Sequence, residues 1–261
     1  MAAVCKSCEE PLVIGIEPDS DDEGQTTQET QNVPDDLELP CGCHFHWQCL
    51  LDQSPEIAIS LNCPSCQKYL PTNIQGPSVT NPFLQTPPGT AILTRYVNEG
   101  GLQDGLDILP NITEEAYLDA NPEARPARAY HLMCSEGDVQ GIVELLQDAN
   151  EELAGDITQL GQLIRYQDPL AGGKSALHVA VEKAQEEVLW LLLWIASPLP
   201  TDAFPIAARQ AAEALQIVRL TNDNAEDIRA LRTESGQTAD DIAKGMPARW
   251  GALIEAGILH P

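Results

Sequence analysis

Eight residues within the first 66 have the types and the spacing to hold metal. Cys5-x2-Cys8 is followed, thirty-two residues later, by Cys41-x-Cys43-x2-His46-x2-Cys49, and after thirteen more by Cys63-x2-Cys66. Zinc prefers four thiolate or imidazole donors in a tetrahedron. A Cys-x2-Cys pair sits on a tight turn that delivers both sulfurs to one ion, so eight donors make two sites and predict two structural Zn2+. A module this small has little core of its own and needs the metal to fold. His44 is a rival for the fourth position, because one or two intervening residues are both tolerated after Cys41. Only Phe45 would then separate it from His46, which is tight for ligands of different ions, and Cys43 is preferred. No nucleophile–base pair, no Gly-rich phosphate loop and no His-Glu-x-x-His occurs, so no catalytic residue is assigned. Gly172-Gly173-Lys174-Ser175 lacks the spaced first glycine of a phosphate loop.

The order of four cysteines, one histidine and three cysteines is shared by PHD fingers and by some RING variants, and spacing separates them. PHD fingers usually place two residues between the third and fourth ligands, four or five before the histidine, and an aromatic residue two positions before the seventh ligand. Here the gaps are one and two, and that position is Leu61. The stretch LPCGCHFHWQCL resembles a RING core with Cys43 where a histidine is common, and CPSC (63–66) resembles the closing RING knuckle. The N-terminal region is thus similar to the RING-type zinc finger of the E3 ubiquitin ligase family. The resemblance implies interleaved sites, Cys5, Cys8, His46 and Cys49 on one ion and Cys41, Cys43, Cys63 and Cys66 on the other, with Phe45 and Leu50 packed between. It implies a shallow surface for a ubiquitin-conjugating enzyme, formed by Lys6 and Ser7, Ile57, Ile59 and Leu61, and Pro64. It also implies catalysis by orientation of the charged enzyme rather than by acid–base chemistry. Two positions depart from the family: Ser7 stands where an apolar residue is usual, and Gln67 where active members often carry an arginine that clamps ubiquitin.

The elements that position these ligands read as a small α+β cross-brace over residues 1–70. An acidic loop over 17–36 interrupts it, and from Glu9 to Glu38 there is no Lys or Arg. Leu12–Ile16 reads as a strand with Leu37–Leu39 as its partner. Residues 71–124 read as a linker and acidic approach, rich in Pro, Thr, Asn and Gly as far as Pro88. Within it Thr90–Asn98 opens a helix and Asn111–Arg125 is turn-rich.

From 125 to 261 the apolar spacing is helical. Residues 131–146, 177–193, 204–220 and 236–258 can be laid over one another as a first helix with small residues, a tight turn and a second helix. The small residues include Ala180, Ala207, Ala208 and Ala243, which let helical hairpins stack. An insertion over 148–173 carries its own helix. SALHVAVEKAQEEVLWLLL and GQTADDIAKG followed by LIEAGI resemble degenerate ankyrin repeats. That resemblance implies a mainly α repeat domain that recruits a protein substrate, with Cys134 a buried apolar residue in its first copy.

Composition bounds the partners. Forty acids against 14 bases give a formal net charge of −26. Polyanion binding needs clustered Lys and Arg, and the bases here are scattered, which argues against nucleic acid and against anionic membranes. MAAVCKSCEE has no apolar signal-peptide core, and paired cysteines without secretion suggest metal rather than disulfides. The expected location is cytoplasmic or nuclear. A non-catalytic adaptor, in which both modules only bind proteins, is the alternative to a ligase.

Overall fold

The computed structural model describes residues 3–16, 31–71, 90–152, 157–215, 217–220 and 226–261. It divides into two compact units, Met1–Pro122 and Glu123–Pro261. No helix among the described residues is long and apolar enough to cross a membrane.

The first unit is built on short strands. Strand β1 (Val13–Ile16) pairs antiparallel with β2 (Gln31–Pro34). Strand β3 (Asp36–Glu38) pairs with β4 (His44–Phe45), which leads into helices α1 (Trp47–Leu51) and α2 (Ser54–Ser60). On its other side β3 pairs with β5 (Leu93–Asn98), and β6 (Gly101–Asp107) completes a four-stranded antiparallel sheet of order β4-β3-β5-β6. Successive side chains of a strand point to opposite faces, and this sheet uses that alternation. Leu37 and Thr94 are buried beneath it, while Glu38 and Arg95 pair on its other face at 3.0 Å. Helix α3 (Leu109–Ala120) buries Leu109, Ile112 and Ala116, at i, i+3 and i+7, against α2. These side chains join Leu37, Leu39, Phe45, Leu50, Ile57 and Ile92 in one core.

Several expectations change here. The partner of β1 is Gln31–Pro34 rather than Leu37–Leu39, because Leu37 already pairs with Phe45 on one side and Tyr96 on the other. Of the acidic loop expected over 17–36, residues 17–30 lie outside the described residues, and Gln31–Pro34 is strand. Leu93–Asn98, expected within a helix, is a strand: the β-branched and aromatic residues Thr94, Tyr96 and Val97 alternate with Arg95, and Asn98-Glu99-Gly100-Gly101 supplies the turn. The approach expected to be turn-rich is helical over 109–120. Of the 71–124 linker, residues 72–89 lie outside the described residues, and 91–120 pack within the first unit.

The second unit is helical. Helices α4 (Arg125–Glu136) and α5 (Val139–Glu152) form a hairpin, followed by α6 (Ile157–Ile164). The turn between the first two has Gly137 at φ +84°, a left-handed conformation that glycine adopts without strain, and Asp138 accepts the Gly141 amide at 2.9 Å. A two-strand ladder, β7 (Gln167–Asp168) with β8 (Lys174–Ser175), leads into a second hairpin of α7 (Ala176–Glu182) and α8 (Glu186–Ala196). After a lone α9 (Ile206–Ala214), a third hairpin joins α10 (Ala239–Lys244) to α11 (Pro247–Glu255).

First helices line up, α4 on α7 and α7 on α10, where Ala180 and Ala243 are fully buried and allow close approach. Helix α8 is apolar nearly all round and is buried accordingly, with Val188, Leu189, Leu192 and Leu193 at 0% exposure. Each such side chain contributes roughly 1.5–3 kcal/mol on burial.

The copy expected over 204–220 forms only its first helix. Residues 217–220 run as an irregular segment held to the end of α8: Trp194 Nε1 donates to the Ile217 carbonyl at 3.1 Å and the Leu220 amide to Ile195 at 2.7 Å. Arg219 stacks on Trp194 and donates to the carbonyls of Trp194, Ser197 and Leu199. The Trp194 carbonyl belongs to the last turn of α8 and the other two to the chain that leaves it, where no following helical turn supplies donors.

Candidate metal centre

Each Cys-x2-Cys knuckle is closed by the same pair of backbone bonds. The Cys5 amide donates to Glu10 and the Glu9 amide to Cys5, both at 2.9 Å. The Cys63 amide donates to Lys68 and the Gln67 amide to Cys63, also at 2.9 Å. The residue after each second cysteine is left-handed, Glu9 at φ +65° and Gln67 at +60°. A non-glycine residue accepts that strain, of order 1 kcal/mol, only where the surroundings impose it. The Cys41-x-Cys43 turn is tighter: the Gly42 amide bonds Leu39 at 2.8 Å and the Leu39 amide bonds Cys43 at 2.9 Å, with Gly42 at φ +82°.

These turns gather the donors into two groups of four, Cys5, Cys8, His46 and Cys49, and Cys41, Cys43, Cys63 and Cys66, with donor atoms within 4.8 Å of one another in each. This is the interleaved arrangement that the resemblance implied. Both groups can hold a metal ion, and their sulfur and nitrogen chemistry fits zinc. His44 belongs to neither: its Nδ1 sits 2.7 Å from Asp36 Oδ1.

His46 shows how one group is oriented. Its Nδ1 faces the sulfurs of Cys8 at 3.3 Å and Cys49 at 3.7 Å, while its Nε2 lies 2.9 Å from the Pro11 carbonyl. A carbonyl oxygen only accepts, so Nε2 carries the proton and the Nδ1 lone pair points at the sulfurs, the tautomer a metal requires. The His46 amide also donates to Cys5 Sγ at 3.4 Å.

The thiols are poised unevenly. Burial pushes Cys5 up, but the amides of Cys8, His46 and Ser7 outweigh it and bring it to about 7. Cys66 falls to about 7, chiefly through the Lys68 amide. Cys49 is pushed up to about 12, first by burial and then by the charges of Cys5 and Cys8. Burial likewise raises Cys41, Cys43 and Cys63. Bare thiolates this close repel, and a divalent cation reverses the balance, because the thiolate is the ligand.

Searches against family models, curated proteins and solved structures find no match for the chain.

The surface assigned to a partner enzyme is divided. Ile57 and Leu61 are buried. Both lie in the core, at 0% and 4% exposure, because α2 turns that face toward α3. Ile59, on the opposite side of α2, is 54% exposed. Ser7 is exposed and its Oγ accepts from Gln53 Nε2 at 3.1 Å. Pro64 is half-buried, and the exposed Gln67 donates through Nε2 to the Pro64 carbonyl at 3.2 Å.

Sequence reading missed Asp35. This buried carboxylate accepts from the Trp47 amide at 3.2 Å and from the Tyr96 hydroxyl at 2.9 Å, tying the start of α1 to β5. Burial, and then Asp35, push the Tyr96 hydroxyl up to about 12. An aspartate flanked by Val33 and Leu37 in an alternating stretch was the available signal.

Proposed function

We propose that the chain is a zinc-dependent RING-type E3 ubiquitin ligase, whose first unit docks a ubiquitin-charged conjugating enzyme and whose second unit recruits the substrate. The observation that carries this reading is the interleaving of two four-donor groups along 62 residues, Cys5 to Cys66. Both sites are filled by protein donors and leave no open position for a reactive water, so the metals are structural. What remains for the module is to hold a partner enzyme in a productive pose. Ile59, with Ser7 and Pro64, is the apolar and polar surface available for that docking. The stack of helical hairpins in the second unit supports reading it as ankyrin-like repeats. In this unit His178 Nδ1 bonds Ser175, and its Nε2 donates to the Gln237 carbonyl at 3.1 Å, linking one hairpin to the approach of another.

The test is discharge of a charged conjugating enzyme onto free lysine, across a panel of such enzymes. Zinc-loaded protein accelerates discharge, and Ile59→Ala abolishes the acceleration while both zinc ions stay bound. Absence of acceleration with every enzyme contradicts the reading.

One observation favours a non-catalytic adaptor. Gln67 is uncharged and its amide is spent on Pro64. Gln67→Arg therefore discriminates: on a ligase it raises the discharge rate, about fivefold for one added charge-assisted hydrogen bond. On an adaptor it changes nothing.

A further inference from the structure

The outer edge of the four-stranded sheet has no partner among the described residues. Strand β6 lies last in the order β4-β3-β5-β6 and pairs only with β5. Residues 101–105 are exposed throughout. An edge strand directs half of its backbone N–H and C=O groups outward, where they are free to pair with another chain. Gly105, at φ +74°, is the extra residue of a bulge between Thr94↔Leu106 and Arg95↔Asp104, so the pairing run available on this edge is Gly101–Asp104.

The face of the sheet beside that edge carries a row of ionisable side chains running from strand to strand. The register sets His44 opposite Glu38, Glu38 opposite Arg95, and Arg95 opposite Asp104. Glu38 and Arg95 lie 3.0 Å apart, and Arg95 and Asp104 lie 3.7 Å apart. The row ends on an acid, Asp104, whose side chain is 74% exposed. On the same face Leu102, opposite Val97, is 54% exposed. Opposite charges directly across a ladder stabilise pairing and like charges oppose it.

We propose that this edge docks an extended, basic segment of a partner protein as a fifth strand, with Lys or Arg opposite Asp104 and an apolar side chain beside Leu102. Two other occupants fail on charge. Two copies pairing along β6 would set Asp104 against an acid, Asp104 or Asp107, or against an uncharged residue, because the strand contains no Lys or Arg. The chain segments 17–30 and 72–89 also contain neither. The proposal is independent of ubiquitin transfer, since the edge uses Gly101–Asp104 and none of Ser7, Ile59 and Pro64, and it serves an adaptor equally.

The experiment titrates zinc-loaded, full-length protein into two labelled peptides, KTVTKTVT and its counterpart ETVTETVT, followed by fluorescence anisotropy. Amide hydrogen exchange locates the site. The lysine peptide binds about tenfold tighter, with new protection confined to Gly101–Asp104, and Asp104→Lys reverses the preference while both zinc ions remain bound. Equal binding of the two peptides, an unchanged preference in Asp104→Lys, or protection elsewhere overturns the proposal. So does protection of 101–104 that grows with protein concentration without peptide, which would make the occupant a second copy.

Discussion

At the scale of single residues, protonation decides what this chain can hold. His46 is fixed as a donor by a carbonyl on its far side, and His44, two residues earlier, is turned to Asp36 instead. Alternation along a strand would set residues two apart on one face; their roles differ because β4 ends at Phe45 and His46 already stands at the start of α1.

His131 shows the same principle without metal. It is buried, its Nε2 meets the Tyr166 carbonyl at 3.2 Å, and its Nδ1 has no hydrogen-bond partner among the described residues. Burial lowers its pKa to about 4, against the opposing pull of Asp168 and the Tyr166 carbonyl. In the unfolded chain it titrates near 6.5. Between those values the unfolded state binds a proton that the folded state refuses, so stability falls as pH drops from about 6.5 to about 4 and levels off below, by about 3 kcal/mol across the window. Helical circular dichroism melts at about pH 7 and about pH 5 check this, because His131→Leu removes that component and loses less on acidification.

The ligands were legible in sequence, since donor type and knuckle spacing are local properties. Which neighbours would be buried was not: Ile57 and Leu61 look as available as Ile59 until α3 is placed against α2.

At the scale of elements, the first unit depends on a hairpin and a helix that composition disguised. Strands β5 and β6 with α3 cover the part that carries the Cys/His groups through Ile92, Ile112 and the Tyr96–Asp35 bond. The alternation of Thr94 and Tyr96 with Arg95, closed by the Glu99-Gly100 turn, was readable as a hairpin. The charge and proline around it pulled the reading toward linker and helix. The strand β3 that it completes is only three residues long, too short to announce a sheet. A fragment ending at residue 71 therefore loses a strand neighbour and much of its core. Compared with a fragment ending at 122, it melts at lower temperature and releases zinc to a chelator faster.

In the second unit the helical hairpins were visible from periodicity and small residues, and the failure of the third copy was not. Its second half is captured by Arg219 and the aromatic face of Trp194, an interaction between segments distant in sequence. Leu192→Ala, at a position with no exposure in α8, costs about 2–5 kcal/mol of that unit's stability. Ser175→Ala, which breaks a capping box with His178, costs about 0.5–2 kcal/mol. Urea titrations followed by helical circular dichroism measure both.

At the scale of the whole molecule, two units with different sources of stability share one acidic chain. The first gathers its metal donors and a modest core, and the second has an extended apolar core and no comparable donor group among the described residues. Chelation should therefore unfold only the first: Trp47 fluorescence changes and amides of 31–60 exchange, while amides of α7 and α8 stay protected. Simultaneous loss of both would show that the second unit leans on the first.

The most direct test of the account is the metal content and ligand set of the intact protein, by native mass spectrometry and by the visible spectrum of its Co2+ form. The account predicts two ions per chain, one bound by three sulfurs and a nitrogen and the other by four sulfurs. Cys43→Ala releases the second, and His44→Ala leaves both in place. A single ion, or an ion lost with His44 and retained without Cys43, contradicts it.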